Sequence, residues 1–261
     1  MINSFSLWVG IGAALGIWRV VRSAPQQQAG VWANLCLILL AASLVGARLS
    51  YVWINWGHFA GYPVEIPQFW LGGLSWPGAI AGAWLVILIL GVWYRARTDR
   101  SPNRLPIGWF TDRLYLLLPP VAIMAWLSNW QSGVGYGVLL PDGDWWGIPS
   151  LDESGTYQRH FPLQLLAALS LLADFWLLEM RVKPLRTPGK LSSQAMLHLL
   201  LNLFVVSLLR ADPSPQWNGL RVDAWIALLY LVIYLSFVLL VNLFSQAGKK
   251  GHIASPQQSL F

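Results

Sequence analysis

The chain is poor in charged residues: Asp, Glu, Lys and Arg make up 11% of its 261 residues, whereas 56% are hydrophobic. A soluble domain of ordinary composition has roughly 25% charged residues. A chain this apolar has too little polar surface to cover a soluble globule, so its composition excludes that class. The composition indicates an integral membrane protein, whose solvent is the hydrocarbon of the bilayer.

The chain has a single cysteine, Cys36, in the middle of an apolar run. One cysteine excludes an intrachain disulfide and a zinc site built on cysteines. We interpret Cys36 as a small buried hydrophobe. The sequence also lacks a cluster of metal-ligand residues, a phosphate-binding loop, and a nucleophile accompanied by a base and an orienting group. We therefore expect no cofactor and no metal.

Basic residues are missing before the first apolar run, since the first of them is Arg19. A cleaved signal peptide has its basic residues ahead of its apolar core. We therefore expect a retained first helix with the N-terminus outside. The net charge of +6 would fit a nucleic-acid-binding protein. However, the basic residues lie in short loops between apolar runs, which is typical of a membrane protein, and no nucleic-acid partner is expected.

Apolar runs of membrane-spanning length recur along the chain, each close to the 20 residues that a transmembrane helix needs. They predict an all-α integral membrane protein with about seven transmembrane helices. We expect one transmembrane domain of residues 1–246, followed by a cytoplasmic tail of residues 247–261. The predicted spans are Phe5–Val21, Val31–Ile54, Leu71–Tyr94, Leu114–Trp130, Phe161–Leu178, Ala195–Leu209 and Ala224–Phe244.

The basic residues also predict the orientation of these spans. With the N-terminus outside, most Lys and Arg residues fall in cytoplasmic loops, as the positive-inside rule requires. The C-terminus is then cytoplasmic as well, because the number of spans is odd. Four arginines remain on the outer side, namely Arg48, Arg159, Arg210 and Arg221.

Two of these outer arginines lie at the ends of apolar helices. Charges inside a membrane are costly and mark candidate sites, and a guanidinium can hold a phosphate with two parallel hydrogen bonds. We expect Arg48 and Arg210 to converge on one phosphate-sized cavity near the outer leaflet. The alternative is that both side chains reach from a helix end to the interface without binding anything.

Further polar or glycine-rich positions lie on the same predicted side. Gly72 and Gly73 would let a lipid head group approach the backbone, or would serve helix packing. Asn129 ends the fourth span, where an amide could bind substrate or satisfy a broken helix end. His160 precedes the fifth span and could act as a base, although a lone histidine on an outer face is more often only solvated.

Five stretches, in the same order along the chain, resemble the prolipoprotein diacylglyceryl transferase family of bacterial membrane enzymes. Gly46–Val52 resembles the pattern G-x-R-L-x-Y-V, and Trp70–Gly78 resembles W-x-G-G-[LM]-S-[FW]-H-G. Ala125–Gly133, with Tyr136-Gly137, resembles G-R-x-G-N-[FW]-x-N and the Y/W-G after it. Phe161–Leu165 resembles H-P-[ST]-Q-L-Y-E, and Arg210–Asp212 resembles R-x-x-D.

The resemblance implies a multi-pass protein of the bacterial cytoplasmic membrane. The implied reaction moves a diacylglyceryl group from phosphatidylglycerol to a lipobox cysteine thiol of a lipoprotein precursor. The family's histidine and its signature arginine are replaced here by Pro77 and Trp126, so His160 is the imidazole expected to serve as the catalytic base. The expected substrate-binding residues are Arg48, Arg210, Asn129, Gly72, Gly73, Gly137 and Gln164.

These departures leave three interpretations open. The chain is a transferase with an altered active site, a non-catalytic relative that binds anionic lipid or lipoprotein, or a small transporter. The sequence shows no repeat symmetry and no acidic relay in the middle of the membrane, which counts against the transporter.

Overall fold

A computed structural model of the chain describes residues 4–98, 107–141, 143–151, 155–182 and 188–253. Within these residues, seven helical segments are long and apolar enough to cross a membrane, which confirms the predicted fold class. The helices are α1 (Ser4–Ser23), α2 (Ala29–Ile54), α3 (Trp56–Phe59), α4 (Trp76–Thr98), α5 (Ile107–Leu114), α6 (Leu118–Gln131), α7 (Leu163–Arg181), α8 (Lys190–Leu209) and α9 (Val222–Ile253).

Among the described residues, two small antiparallel hairpins accompany the helices, and the sequence did not predict them. In the loop between α6 and α7, β1 (Ile148–Leu151) pairs with β2 (Tyr157–His160). In the loop between α8 and α9, β3 (Gln216–Trp217) pairs with β4 (Leu220–Arg221). Each hairpin shapes a loop next to a candidate site.

The third span begins at Trp76 rather than at Leu71, so the predicted start was wrong. Gly72 and Gly73 have φ values of 93° and 70°, which lie outside the right-handed helical region. The apolar run therefore starts five residues before the helix does. Residues 72–75 form a link without regular secondary structure that leads into α4.

The sixth span begins at Lys190, earlier than the predicted Ala195. Its first turn contains polar residues, which the apolar pattern could not include. Asp112 of α5 accepts hydrogen bonds from the backbone N–H groups of Gly189 at 2.7 Å and Ser192 at 2.8 Å. A carboxylate from a distant helix thus satisfies donors that a helix N-terminus leaves unpaired.

Glycines allow α2 and α4 to pack with their backbones in contact. A Cβ atom added to Gly46 would collide with the carbonyl of Gly78, and one added to Gly82 would collide with that of Ala42. Gly78 and Gly82 therefore serve helix packing.

Of two buried apolar clusters, the larger is made mainly by α6, α7 and α8. Its fully buried side chains include Leu171, Phe175 and Leu200. Many large apolar side chains instead point outward from the helices, such as Val92 and Leu239. Such exposure is unusual in a soluble protein and fits helices that face lipid. The helix α9 continues to Ile253; the remainder of the predicted tail, residues 254–261, lies outside the described residues.

Candidate functional site

Arg48 lies near the end of α2 and is buried, with 8% of its surface exposed. Its guanidinium donates four hydrogen bonds to backbone carbonyls of the segment that leads into α4. Nε donates to Ile66 at 2.8 Å and Nη2 to Glu65 at 2.6 Å. Nη1 donates to Gly72 at 2.8 Å and to Gly73 at 3.2 Å. All three nitrogens therefore have protein partners.

Two rings and a glycine complete the surroundings of Arg48. Its guanidinium carbon lies 5.7 Å from the ring centroid of Tyr51 and 5.2 Å from that of Phe59, which is within cation–π range. A Cβ atom on Gly73 would lie 2.5 Å from Cε1 of Tyr51 and 2.7 Å from Nη1 of Arg48. Only glycine fits here, both for its positive φ and for this close approach.

A cavity of about 300 Å³ opens beside this arginine, and we call it the Arg48 cavity. It brings together three of the predicted site residues, Arg48, Gly72 and Gly73. It also contains an imidazole–carboxylate pair, since Nε2 of His58 lies 2.8 Å from Oε2 of Glu65. No sequence pattern indicated this pair, because neither residue belongs to a matched motif.

Arg210 belongs to a cluster of four ionic side chains at the junction of α8 and α9. It donates to Asp212 from Nε at 2.8 Å and from Nη2 at 2.5 Å, and Nη1 lies 3.3 Å from Asp223. Nη2 of Arg221 lies 3.4 Å from Oδ1 of Asp212 and 3.8 Å from Oδ2 of Asp223. Two guanidinium groups and two carboxylates thus balance each other.

The environments of Arg210 and Arg221 shift the pKa values of these two arginines in opposite directions. Burial acts to lower the pKa of Arg210, but the hydrogen bonds and negative charge of Asp212, helped by Asp223, outweigh burial, so this pKa is raised. Burial, followed by repulsion from Arg210, lowers the pKa of Arg221 below its usual range. Arg221 is therefore the less satisfied of the two cations.

A second cavity, of about 480 Å³, lies beside this cluster, and we call it the α8–α9 cavity. Its lining includes Ser207, Arg210, Asp212, Gln216 and Arg221. Arg48 and Arg210 therefore line different cavities, contrary to the expectation that they converge on one. The residue that shares a cavity with Arg210 is Arg221, which the sequence analysis had assigned only to the outer side.

The remaining predicted residues surround the start of the loop after α6. The amide of Gln164, which is 1% exposed, donates to the carbonyl of Val134 at 3.1 Å. The carbonyl of Asn129 accepts from the backbone N–H of Val134 at 3.2 Å, and the N–H of Gly137 donates to Phe161 at 3.2 Å. These hydrogen bonds hold the loop in place; those of Asn129 and Gly137 use backbone groups, and that of Gln164 uses its side-chain amide.

The same loop connects to Arg210 through its neighbours. A Cβ atom on Gly135 would lie 3.8 Å from Nε of Arg210 and 3.9 Å from Cγ of Gln164. The carbonyl of Tyr136 accepts from the N–H of Ala211 at 2.9 Å. The structure thus groups Arg210, Gln164 and Gly137 around residues 134–138, apart from the group at Arg48.

His160, the predicted base, ends β2 and is 5% exposed. Its Nδ1 lies 3.0 Å from Oγ of Ser150 and 3.2 Å from the carbonyl of Gln158. Its ring packs on Tyr136, with centroids 4.3 Å apart. Neither the Arg48 cavity nor the α8–α9 cavity has His160 in its lining.

The two positions where the sequence departs from the motif both lie in packed surroundings. Pro77, in the first turn of α4, is buried, and its carbonyl accepts a hydrogen bond from the hydroxyl of Tyr230 at 2.9 Å. Trp126 is 7% exposed, and its ring lies 3.4 Å from where a Cβ atom on Gly135 would be. Neither side chain can exchange a proton at neutral pH.

Comparison with known proteins shows which family this chain resembles. The family model described as "Prolipoprotein diacylglyceryl transferase" matches residues 1–241. A protein of Lactococcus lactis named phosphatidylglycerol–prolipoprotein diacylglyceryl transferase is 27% identical over 244 residues, covering 89% of this chain and 87% of the relative. Its namesake in Streptococcus mutans is 26% identical over 242 residues, covering 89% and 88%. A namesake in Rhodospirillum rubrum is 34% identical over 150 residues, covering 57% and 48%.

Proposed function

Because the chain belongs to the prolipoprotein diacylglyceryl transferase family, we propose that it moves a diacylglyceryl group from phosphatidylglycerol to the lipobox cysteine of a lipoprotein precursor. The observation that carries this proposal is the family match over residues 1–241, which includes all seven apolar helices. Two of the named relatives are similar over nearly nine-tenths of this chain, so the proposal concerns the whole transmembrane domain.

The proposed reaction needs a thiolate, because the thiolate is the nucleophile and the thiol is not. Its sulfur forms a bond to the terminal glycerol carbon of the diacylglyceryl group. The bond from that carbon to the phosphate oxygen breaks, and its electron pair leaves with glycerol phosphate. The protein must therefore accept the thiol proton and hold a phosphate whose charge increases as the bond breaks.

The residues proposed to bind substrate differ in how their side chains can act. Arg210 lines the α8–α9 cavity and contributes positive charge there. Arg48 acts by holding the carbonyls of Gly72 and Gly73 in place. Asn129, Gly137 and Gln164 set the position of the loop after α6.

His160 remains the predicted base for the thiol proton. Its Nδ1 contacts Ser150, an arrangement in which a hydroxyl orients the imidazole. A substrate thiol would have to reach the other side of the ring for His160 to accept its proton.

A second candidate function is the binding of anionic lipid or lipoprotein without transfer. The packing of Pro77 and Trp126 favours it, because side chains that only pack now occupy the two positions where the motif has an imidazole and a guanidinium. Losing such groups from one active site ordinarily lowers the rate by orders of magnitude.

A transfer assay tests the two functions against each other. Purified chain is mixed with phosphatidylglycerol labelled in its acyl chains and a lipobox peptide, and the labelled thioether product is measured. We expect product from the unchanged chain and at least a hundredfold less from His160→Ala. The matched control is His198→Ala, which removes a histidine that lines neither the Arg48 cavity nor the α8–α9 cavity.

Each result of this assay has one meaning. Equal turnover in the His160→Ala variant removes His160 from the mechanism and leaves the transferase proposal standing. No turnover by the unchanged chain, together with retained lipid binding, overturns transfer and favours the binding function.

We place the chain in the bacterial cytoplasmic membrane with its N-terminus outside, on the basis of the basic-residue pattern. This orientation is tested by cysteine labelling in a Cys36→Ala background, with a reagent that does not cross membranes. Asp144→Cys, in the loop before α7, is expected to react in intact cells, whereas Gln27→Cys, in the loop after α1, reacts only after the membrane is breached. The reverse pattern overturns the orientation.

A further inference from the structure

The membrane-spanning helices α7 and α8 carry an acid–base pair on their outward surface. Nδ1 of His198 in α8 lies 3.4 Å from Oδ2 of Asp174 in α7, and the two side chains are 37% and 36% exposed. A hydrogen bond from N–H to oxygen is usually about 2.7–3.2 Å long, so this contact is a long one. No other polar partner of either side chain is found among the described residues.

The pair lies at the depth of the hydrocarbon. The helix α7 extends from Leu163 to Arg181, and α8 extends from Lys190 to Leu209. At a rise of about 1.5 Å per residue, the acid is about 10 Å and the imidazole about 12 Å from the nearer end of its helix. Ionisable side chains at such depth are costly and rarely face lipid. Their exposure therefore calls for a protein partner.

The surface around the pair is apolar and suited to helix packing. Leu177 in α7 is 39% exposed, and Leu201 and Val205 in α8 are 43% and 49% exposed. Ala173 is exposed as well, and small residues allow membrane-spanning helices to approach each other closely. The α7–α8 surface is defined by six exposed or half-exposed residues, Ala173, Asp174, Leu177, His198, Leu201 and Val205.

A second copy of this chain offers the matching groups. Homodimers are most often related by a twofold axis, and for two copies with the same orientation in one membrane this axis runs along the membrane normal. It places α7 of one copy opposite α8 of the other. Asp174 and His198 are in contact and so lie at the same depth. Each carboxylate therefore faces the imidazole of the other copy, and the surface is complementary to itself.

A second polar pair, one helical turn away, has the same property. Nδ2 of Asn202 in α8 donates to Oγ of Ser170 in α7 at 2.7 Å. The same twofold axis places Asn202 of one copy opposite Ser170 of the other. An amide nitrogen retains a second N–H after one hydrogen bond. A hydrocarbon chain offers no donor or acceptor, so lipid does not satisfy these groups whereas a second copy does.

We propose that two copies of this chain associate in the membrane through the α7–α8 surface, with Asp174 of each copy paired to His198 of the other. Hydrogen bonds between polar side chains of neighbouring helices stabilise helix association in membranes. No residue of this surface lines the Arg48 cavity or the α8–α9 cavity. The dimer is therefore independent of the transfer reaction.

The test is Förster energy transfer between copies of the full chain in lipid vesicles. Each copy carries one fluorophore on Asp144→Cys in a Cys36→Ala background, and donor- and acceptor-labelled copies are mixed at increasing dilution in lipid. We expect the unchanged chain to dimerise and the association to be about tenfold weaker in His198→Leu and in Asp174→Leu. Because leucine is favourable in hydrocarbon, neither change should lower the thermal midpoint of the monomer. The matched control is Leu88→Ala, at a position of α4 that is 58% exposed.

A complementary pair of variants tests the twofold pairing itself. One copy carries His198→Asp and so has two carboxylates, and the other carries Asp174→His and has two imidazoles. Across the twofold axis, the mixed dimer pairs acid with base at both contacts, whereas each variant alone pairs like with like. We expect the mixed association to be at least about fivefold tighter than that of either variant alone.

Four results would overturn the proposal. Energy transfer in the unchanged chain could be no greater than random proximity gives at the same dilution. The two leucine variants could associate as tightly as the unchanged chain, or Leu88→Ala could lose as much association as they do. The complementary variants could associate no better mixed than alone. If a leucine variant has a lower thermal midpoint, the complementary pair decides.

Discussion

Arg48 and Arg210 both follow long apolar runs, yet the protein uses them differently. All three guanidinium nitrogens of Arg48 donate to backbone carbonyls of one segment. Arg210 directs its donors to two carboxylates, beside a second arginine and a larger cavity. A buried guanidinium in an apolar run is therefore not in itself a phosphate site. The partners of its nitrogens decide whether it can be one.

The two sites differ because Arg48 is paired with backbone carbonyls, whereas Arg210 and Arg221 are paired with carboxylates. Carbonyls satisfy the donors of Arg48 but leave its charge uncompensated by a carboxylate, and the site forms a rigid support for the segment leading into α4. At the other site, Asp212 and Asp223 neutralise Arg210 and Arg221, and both arginines line a cavity. Four substitutions probe this contrast, in order of decreasing expected effect.

The largest effect is expected for Asp212→Asn. This change leaves Arg210 and Arg221 close together with one carboxylate between them, and breaking a buried ion pair in this way typically costs 3–5 kcal/mol. We expect a loss of about 4 kcal/mol in the free energy of unfolding, measured by denaturant titration in mixed micelles. Asp144→Asn, in the loop before α7, is the matched control. A loss below about 1 kcal/mol would contradict a structural role for the cluster.

Arg48→Met is expected to cost about 3 kcal/mol, because four backbone carbonyls lose a charged donor and only some of them regain water. The segment of residues 62–73 should also become more sensitive to limited proteolysis. Arg159→Met, at an exposed arginine, is the control and should change stability little. If Arg48→Met kept full stability but lost lipid binding, Arg48 would be a ligand-binding residue rather than a support.

Gly73→Ala is expected to cost about 2 kcal/mol, because a residue with a Cβ atom is disfavoured at positive φ and the new methyl group meets Tyr51 and Arg48. Gly57→Ala is the matched control, since no atom lies within 4 Å of a Cβ atom built there. Thermal unfolding of both variants provides the measurement. Equal midpoints would show that the segment tolerates a side chain at Gly73.

The smallest effect is expected for His58→Gln. The pair of His58 and Glu65 joins two side chains that are 53% and 41% exposed, and exposed ion pairs contribute about 0–1 kcal/mol. We expect a change in unfolding free energy below about 0.5 kcal/mol. A loss as large as that of Arg48→Met would show that this pair, rather than the guanidinium, holds the segment.

The sequence predicted the helices better than it predicted their ends. Apolar runs indicated all seven spans, because the bilayer requires a minimum apolar length. They could not indicate that Gly72 and Gly73 delay the start of α4, since both residues are compatible with an apolar segment. They also missed the first turn of α8, whose capping carboxylate, Asp112, lies some 80 positions earlier in the chain.

The candidate sites were less predictable, because they depend on pairings between distant segments. The sequence showed correctly that Arg48 and Arg210 are unusual residues, but it could not show which carbonyls or carboxylates they meet. It assigned Arg221 to the outer side without a role. The one available signal was the spacing of Arg210, Asp212, Arg221 and Asp223, which places opposite charges at both ends of a single short loop.

The most direct test of this contrast between the two arginine sites is an experimental structure of the chain determined with phosphatidylglycerol. We expect phosphate density in the α8–α9 cavity beside Arg210, while Arg48 still donates to the carbonyls of Glu65 and Gly72. Phosphate density on the guanidinium of Arg48, with its carbonyl hydrogen bonds broken and the α8–α9 cavity without lipid, would contradict it.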